Sequence, residues 1–198
     1  MKIILTAFLL LIFTACSTTY PAITQYRIAV DTHKSDTLQS VCTKSSLKIS
    51  QAFVKSSLMS KKMKYVVGEY QEGAFNQSEW AEDPNKAITD VIVQSLQNAG
   101  IFETVTSYKS FSSSDYTLES SVADFTQHFT ADEKSSVAKI DISFVLVDNA
   151  TAQVVATKHI VKELPTKDAN AKSGVEALNT LLQESLREMQ AWLAKSCR

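Results

Sequence analysis

The chain has 198 residues, a formal net charge of −1 and 44% hydrophobic residues, values typical of a globular protein with one substantial core. The slight negative charge lacks the basic excess that nucleic acid binding requires. The four glycines argue against a glycine-rich phosphate-binding loop and against long flexible linkers.

The first sixteen residues have the pattern of a secretion signal. Lys2 supplies a positive charge, and residues 3–13 are apolar except for Thr6. This run is shorter than the roughly 20 residues that a transmembrane helix needs. We therefore interpret residues 1–15 as a signal peptide that is removed.

The end of this signal resembles a bacterial lipobox. Thr14 and Ala15 precede Cys16 as that pattern requires, and Phe13 replaces its usual leucine. The motif predicts lipidation of Cys16, with acyl chains such as palmitate anchoring the mature protein to a bilayer. In the alternative, the signal peptide is an ordinary one and Cys16 has no role.

A lipidated Cys16 would organise the rest of the chain. Residues 16–24 would be a tether, and residues 25–198 would form a single periplasmic domain. The residue after the cysteine is Ser17 and not aspartate, which by resemblance to lipoprotein sorting indicates the periplasmic face of the outer membrane.

The predicted domain contains two further cysteines, which would lie in an oxidising compartment. Cys42 and Cys197 could form an intrachain disulfide, or they could be unrelated thiols or bridge two molecules. Neither lies in a CxxC motif, so redox catalysis has little support.

The segments that follow alternate between predicted strands and loops. Alternating apolar residues and β-branched residues predict strands at residues 26–30, 46–53, 63–70, 101–108, 116–129, 138–148 and 153–164. The second and third of these are predicted to pair as a hairpin, and residues 71–82 are predicted to be a loop. Within the fifth strand, the apolar face changes between Asp124 and Phe125, which predicts a β-bulge.

Two segments have the spacing of amphipathic helices. The first would have Asp83 as its N-cap, Pro84 as its first residue and Gly100 as the left-handed residue that ends it. The second spans residues 168–194. The order βββ-α-ββββ-α predicts an α+β fold, with both helices packed on one face of a mixed, mostly antiparallel sheet.

The residue patterns offer no catalytic or metal site. The three histidines, His33, His128 and His159, are widely separated and lack the spacing of zinc ligands. No serine lies in a G-x-S-x-G motif. We therefore expect no enzymatic activity, no metal and no cofactor.

Two surfaces remain as candidates for partner contact. Trp80 either packs the start of the first helix onto the sheet or lines a partner surface with Tyr70. The loop before residue 63 is either a solvated hairpin tip or a contact for anionic headgroups or a partner subunit. Its lysines and apolar residues are Lys55, Lys61, Lys62, Leu58 and Met59, with Lys64 just after it.

Several segments, taken in order, resemble one family. After the lipobox they read YRIAV at 26–30, MKYVV at 63–67 followed by Tyr70, WAEDP at 80–84, DYTL at 115–118, VADF at 122–125, and LVD at 146–148 in the last hairpin. This order resembles the ABC-type transport auxiliary lipoproteins, the PqiC-like partners of MCE-type lipid transport systems. The absence of a proline at 49–52 and of a glycine after Asp148 departs from the family pattern.

The resemblance implies a non-enzymatic component that docks on an MCE-domain protein and helps lipid pass between membranes. It also implies a homo-oligomeric ring and contact with phospholipid. A lipoprotein that assembles or activates another envelope machine, such as a cell-wall synthase or a secretin, is the alternative. Neighbouring genes for an ATPase, a permease and an MCE protein would favour the first interpretation.

Overall fold

The structure is a computed structural model, which describes residues 21–32 and 38–197. The predicted signal peptide, the predicted lipidation site Cys16 and His33 lie outside the described residues. Among the described residues, no helix is long and apolar enough to span a membrane.

Three long strands form the centre of the sheet. β7 (Tyr116–Phe129), β8 (Ser136–Asp148) and β9 (Gln153–Pro165) make an antiparallel meander. In β8 every second residue from Ala138 to Leu146 is fully buried, as the alternation predicts. The predicted bulge lies between Val122 and Asp124 of β7.

The edge of β7 that faces away from β8 pairs with three short strands in succession, and all three run parallel to β7. These are β2 (Ser46–Ile49), β3 (Phe53–Val54) and β4 (Lys62–Val67). β6 (Thr104–Ser107) pairs with β2 and extends the sheet beyond it. β2 and β6 therefore form a first arm of the sheet beside β7.

The second arm extends from β4. β5 (Gln71–Trp80) pairs antiparallel with β4, and β1 (Thr24–Tyr26) pairs parallel with β5. The sheet, which has nine strands among the described residues, thus divides into two arms beside β7.

Both helices cover the same face of the sheet, so the predicted α+β class is confirmed. α1 (Pro84–Ala99) packs on β2 and β6, and α2 (Ala171–Leu193) packs on β7, β8 and β9. The lysines Lys158 and Lys162 of β9 form ion pairs with Glu188 of α2 at 2.6 and 3.5 Å. These ion pairs connect β9, at the edge of the meander, to the helix that covers it.

The ends of α1 agree with the sequence analysis except in one detail. Pro84 begins the helix after Asp83, and Gly100 ends it in the left-handed conformation, with φ of 65°. The Asp83 side chain does not cap the helix, because its carboxylate accepts a hydrogen bond from Lys86 Nζ at 2.7 Å instead.

Cys42 and Cys197 are joined by a disulfide in the structure. Cys42 is fully buried, and the neighbouring amide of Val41 donates to the carbonyl of Ala194 at 3.0 Å. The bond therefore joins the chain before β2 to the end of α2, on the helix-covered side.

Four predictions about the first half of the chain are wrong. Residues 71–80 form β5 and not a loop, and β4 pairs with β5 and β7 and not with the strand before it. The predicted strand 46–53 is split, because the Ala52 amide turns away to donate to Thr89 Oγ1 of α1 at 2.9 Å. Residues 27–30 leave the sheet after the three-residue β1.

Candidate docking cleft

Residues 27–32, here called the N-terminal strap, run across the helix layer after β1. The Asn179 side chain accepts a hydrogen bond from the Ala29 amide at 3.1 Å and donates to the Arg27 carbonyl at 3.2 Å. Asn98 of α1 donates to the Thr32 carbonyl at 2.7 Å. One asparagine from each helix therefore fixes the strap in place.

A cleft of about 720 Å³ lies between the strap and the first half of α1. Its walls are the strap, Lys61 in the turn before β4, and the segment that leads into the helix. The Trp80 amide donates to the Lys61 carbonyl at 2.7 Å, which brings that turn to the cleft. The lining residues are Arg27, Ile28, Ala29, Val30, Lys61, Ala81, Glu82, Asp83, Lys86, Ala87, Asp90, Val91 and Gln94.

Charges of both signs surround the cleft. The hydrogen bond and the charge of Asp83 raise the pKa of Lys86, so this lysine stays protonated. Arg27 and Lys61 form no ion pair with another described residue, and neither do Glu82 and Asp90. The apolar side chains of the strap and α1 form the rest of the wall. Such a lining suits a polypeptide segment that carries charges of both signs.

The structure corrects two residues of the predicted partner surface. Trp80 and Leu58 are each 2% exposed, so neither can contact a partner. Trp80 instead packs on Phe125 of β7, with ring centroids 5.8 Å apart. Its burial follows from its place at the end of β5, where it joins the core beside α1.

The other predicted surface residues are exposed but do not form one patch. Met59, Lys61 and Lys62 lie at one end of β4, and Tyr70 lies beyond its other end. The six residues of β4 separate Tyr70 from the cleft, a distance of roughly 20 Å at the usual rise per residue. Lys61 alone of this set lines the cleft.

The residues that hold the strap could not be found in the sequence. Asn179 is 150 residues from Ala29 along the chain, and Asn98 is 66 residues from Thr32. Neither asparagine belongs to a motif. The amphipathic patterns of the two helices predict that they pack on the sheet, but they predict no contact with the strap.

The helix-free face of the sheet carries two aspartate–histidine pairs. His128 Nε2 lies 2.9 Å from Asp124 Oδ2, and His159 Nε2 lies 2.9 Å from Asp141 Oδ1. Burial disfavours ionisation of Asp124, but hydrogen bonds from His128 and Thr126 outweigh it and lower its pKa. Among the described residues, no group of three or more His, Cys, Asp or Glu side chains is arranged to hold a metal ion.

Solved structures of low sequence identity share the fold. Protein XCC0632 from Xanthomonas campestris superposes with a TM-score of 0.76 at 18% identity, covering 86% of this chain and 95% of that chain. A second structure, described as an uncharacterized protein, gives a TM-score of 0.66 at 17% identity and covers 87% of this chain and 99% of that chain. A search of curated proteins found no significant match.

The sequence itself identifies the family. Residues 26–190 match the family described as ABC-type transport auxiliary lipoprotein component. The match begins within β1 and ends within α2, so it includes the strap, both arms of the sheet, the meander and nearly all of the second helix. The resemblance drawn from the sequence is confirmed, and the chain belongs to the family of ABC-type transport auxiliary lipoprotein components.

Proposed function

We propose that this protein is an outer-membrane lipoprotein, anchored through Cys16 on the periplasmic face, and the non-catalytic auxiliary component of an MCE-type lipid transport system. The observation that carries the proposal is the family match over residues 26–190 together with the lipobox before Cys16. An auxiliary role is consistent with a sheet and helix layer that presents surfaces for docking.

The cleft beside the N-terminal strap is the proposed docking site for the MCE-domain protein. The charged lining residues Arg27, Lys61, Glu82 and Asp90 can pair with charged side chains of an entering segment. The strap adds backbone that is not part of the sheet beside them, since β1 ends at Tyr26. An extended segment of the partner can add alongside such a backbone.

Crosslinking in the native envelope followed by purification of this protein tests the proposal. We expect an MCE-domain protein to be recovered with the wild type. In the double variant Arg27→Glu/Lys61→Glu the recovery should fall about tenfold, which corresponds to a loss of about 1.4 kcal/mol. The matched control is Lys44→Glu/Lys109→Glu, which makes the same charge change at exposed positions outside the cleft.

Three outcomes would contradict parts of this proposal. Absence of any MCE-domain protein from the wild-type sample would overturn the partner, and recovery of a cell-wall synthase or a secretin would favour the assembly role. Equal losses in both double variants would overturn the cleft as the docking site. Native mass spectrometry in mild detergent tests the remaining proposal, a homo-oligomeric ring that carries phospholipid.

A further inference from the structure

An aromatic side chain stands at the tip of the β4–β5 hairpin. The turn at residues 68–70 joins the two strands, and Tyr70 is 92% exposed. Gly68 adopts a φ of 58°, a conformation that favours glycine, and its amide donates to the carbonyl of Phe129 at 3.0 Å. The tip therefore lies beside the end of β7, next to the loop at residues 130–135.

The base of this hairpin is braced, so the tip is held in position. The rings of Tyr65, Phe75 and Phe129 pack on one another, with centroids 4.8 to 6.1 Å apart. Lys64 of β4 forms an ion pair with Glu72 of β5 at 3.1 Å. An exposed ring at the end of a stiff ribbon loses little conformational entropy when it binds.

The direction of β1 places the lipid anchor toward the same end of the domain. β1 runs parallel to β5, with Thr24 opposite Ser78, so the chain enters β1 from the side where β5 begins. The pairing of Glu79 with Lys62 and of Gln71 with Val67 puts the Tyr70 tip only about 20 Å from the level of Thr24 along the strand direction, because β5 is irregular between these pairs. The eight residues from Cys16 to Thr24 can span at most about 29 Å, enough to reach the level of the tip.

The opposite end of the domain lies on the other side of the level at which the chain enters β1. It carries the turn between β8 and β9, because Asp148 pairs with Tyr116 at the start of β7. The 14 residues of β7 separate the two ends, a distance of roughly 45 Å. Of the two ends, the one with Tyr70 is therefore the one toward which the chain before β1 is directed.

We infer that the Tyr70 hairpin tip contacts the bilayer that holds the lipid anchor, with the tyrosine ring in the headgroup region. This inference rests on the lipidation of Cys16 in the proposed function. Tyrosine suits this position because its ring is apolar and its hydroxyl is polar, and such residues concentrate at membrane interfaces. A second contact beside the acyl anchor would fix the orientation of the domain on the membrane.

The charges around the tip indicate what kind of lipid surface it fits. Glu69 and Glu72 lie beside Lys64 in the hairpin, and the adjacent loop carries Lys134 with two acidic residues. No basic excess exists there to attract anionic lipids. The contact should therefore be no stronger on anionic than on neutral vesicles.

Fluorescence quenching by brominated lipids tests the inference. The lipidated full-length mature protein is placed in phosphatidylcholine vesicles whose acyl chains are brominated near the headgroup, in a Trp192→Phe background. Tyr70→Trp should lose about half of the added emission, as expected for a residue in the interface. Phe111→Trp is the matched control, because Phe111 is also fully exposed but lies near the start of β7, and its emission should stay unchanged.

Flotation of the same vesicles separates the two possible failures. Protein that does not float with the vesicles would overturn the lipid anchor of the proposed function and this inference with it. Protein that floats, with Tyr70→Trp unquenched or quenched no more than Phe111→Trp, would overturn the inference alone. Quenching that appears only when anionic lipid is added would overturn the proposed aromatic contact in favour of an electrostatic one.

Discussion

The β7–β9 meander and the β4–β5 hairpin belong to one sheet but are stabilised in different ways. In β8 the residues that face the helices alternate strictly with those that face solvent, and α2 covers the inner set. In β5 the sole buried residue is Trp80 at its end. The hairpin is held instead by its pairing with β1 and β7 and by the cluster of Tyr65, Phe75 and Phe129.

This difference has a consequence for stability and for function. Detaching a strand of the meander would expose the apolar residues that it buries against the helix. The meander should therefore unfold only together with the whole domain. The hairpin exposes most of its surface and should open at a lower free energy. A contact element at its tip can then be altered by mutation at little cost to the fold.

Removal of the disulfide should have the largest effect on the balance between these regions. Cys42 and Cys197 are 155 residues apart in sequence, and the chain-entropy model gives about 5 kcal/mol for a loop of this length. Cys42→Ser/Cys197→Ser should lower the free energy of unfolding by up to this amount, measured by urea denaturation. Hydrogen exchange should rise more in β1–β6 than in β7–β9.

The wild type under reducing conditions is the control for this variant, since it loses the bond without changing side-chain size. A loss below about 1 kcal/mol in both samples would show that the disulfide does not constrain the unfolded chain as assumed. Equal exchange in both halves would contradict the contrast between the arms and the meander.

Two glycines offer a matched test of how tightly each region is packed. A Cβ on Gly174 of α2 would meet Cδ of Gln127 at 2.7 Å, and Gln127 is buried and donates to Ser136 Oγ at 2.8 Å. A Cβ on Gly73 of β5 would meet the Tyr65 ring at a similar distance, but this ring is partly exposed and can shift toward solvent, with some loss of its contacts with Phe75 and Phe129.

Gly174→Ala should therefore destabilise the protein by about 1–2 kcal/mol, because overpacking outweighs the better helix propensity of alanine. Gly73→Ala should cost less than about 1 kcal/mol, since the side chain in its way can move. Thermal and urea unfolding measure both. Adding Gln127→Ala should reduce the cost of Gly174→Ala, and a cost that stays the same would show that the contact with Gln127 is not the cause.

The smallest expected effect on stability is that of replacing Asp124 of β7. This residue lies between the part of β7 that pairs with β3 and the part that pairs with β4. Its pKa is lowered in the folded protein, since hydrogen bonds and the nearby charges of His128 and Lys55 outweigh burial. A depressed folded pKa contributes stability above the unfolded pKa of about 3.9. That contribution is lost as the pH falls through the folded pKa.

Asp124→Asn should therefore be less stable than the wild type at pH 7, and the difference should shrink below about pH 4. Urea denaturation at both pH values measures it. Asp90→Asn, at an exposed position of α1, should show little difference at either pH. A difference between Asp124→Asn and the wild type that is constant with pH would contradict the assigned cause.

The sequence by itself determined the elements whose side chains follow a regular period. The limits of β7, the position of its bulge and both ends of α1 follow from alternating apolar residues, from Pro84 and from Gly100. These features are local, because a strand or helix buried on one face must repeat its apolar residues with its own period. The order of such segments was also enough to indicate the family.

The tertiary structure alone decided which segments meet. β5 is a strand because β1 and β4 pair with its backbone, although its polar sequence lacks alternation. The strap is fixed by Asn98 and Asn179, and the predicted partner surface is divided between the core, the cleft and the hairpin tip. Pairing, burial and clefts depend on residues far apart in the chain, and backbone hydrogen bonds between strands need no particular side chain, so no local pattern records them.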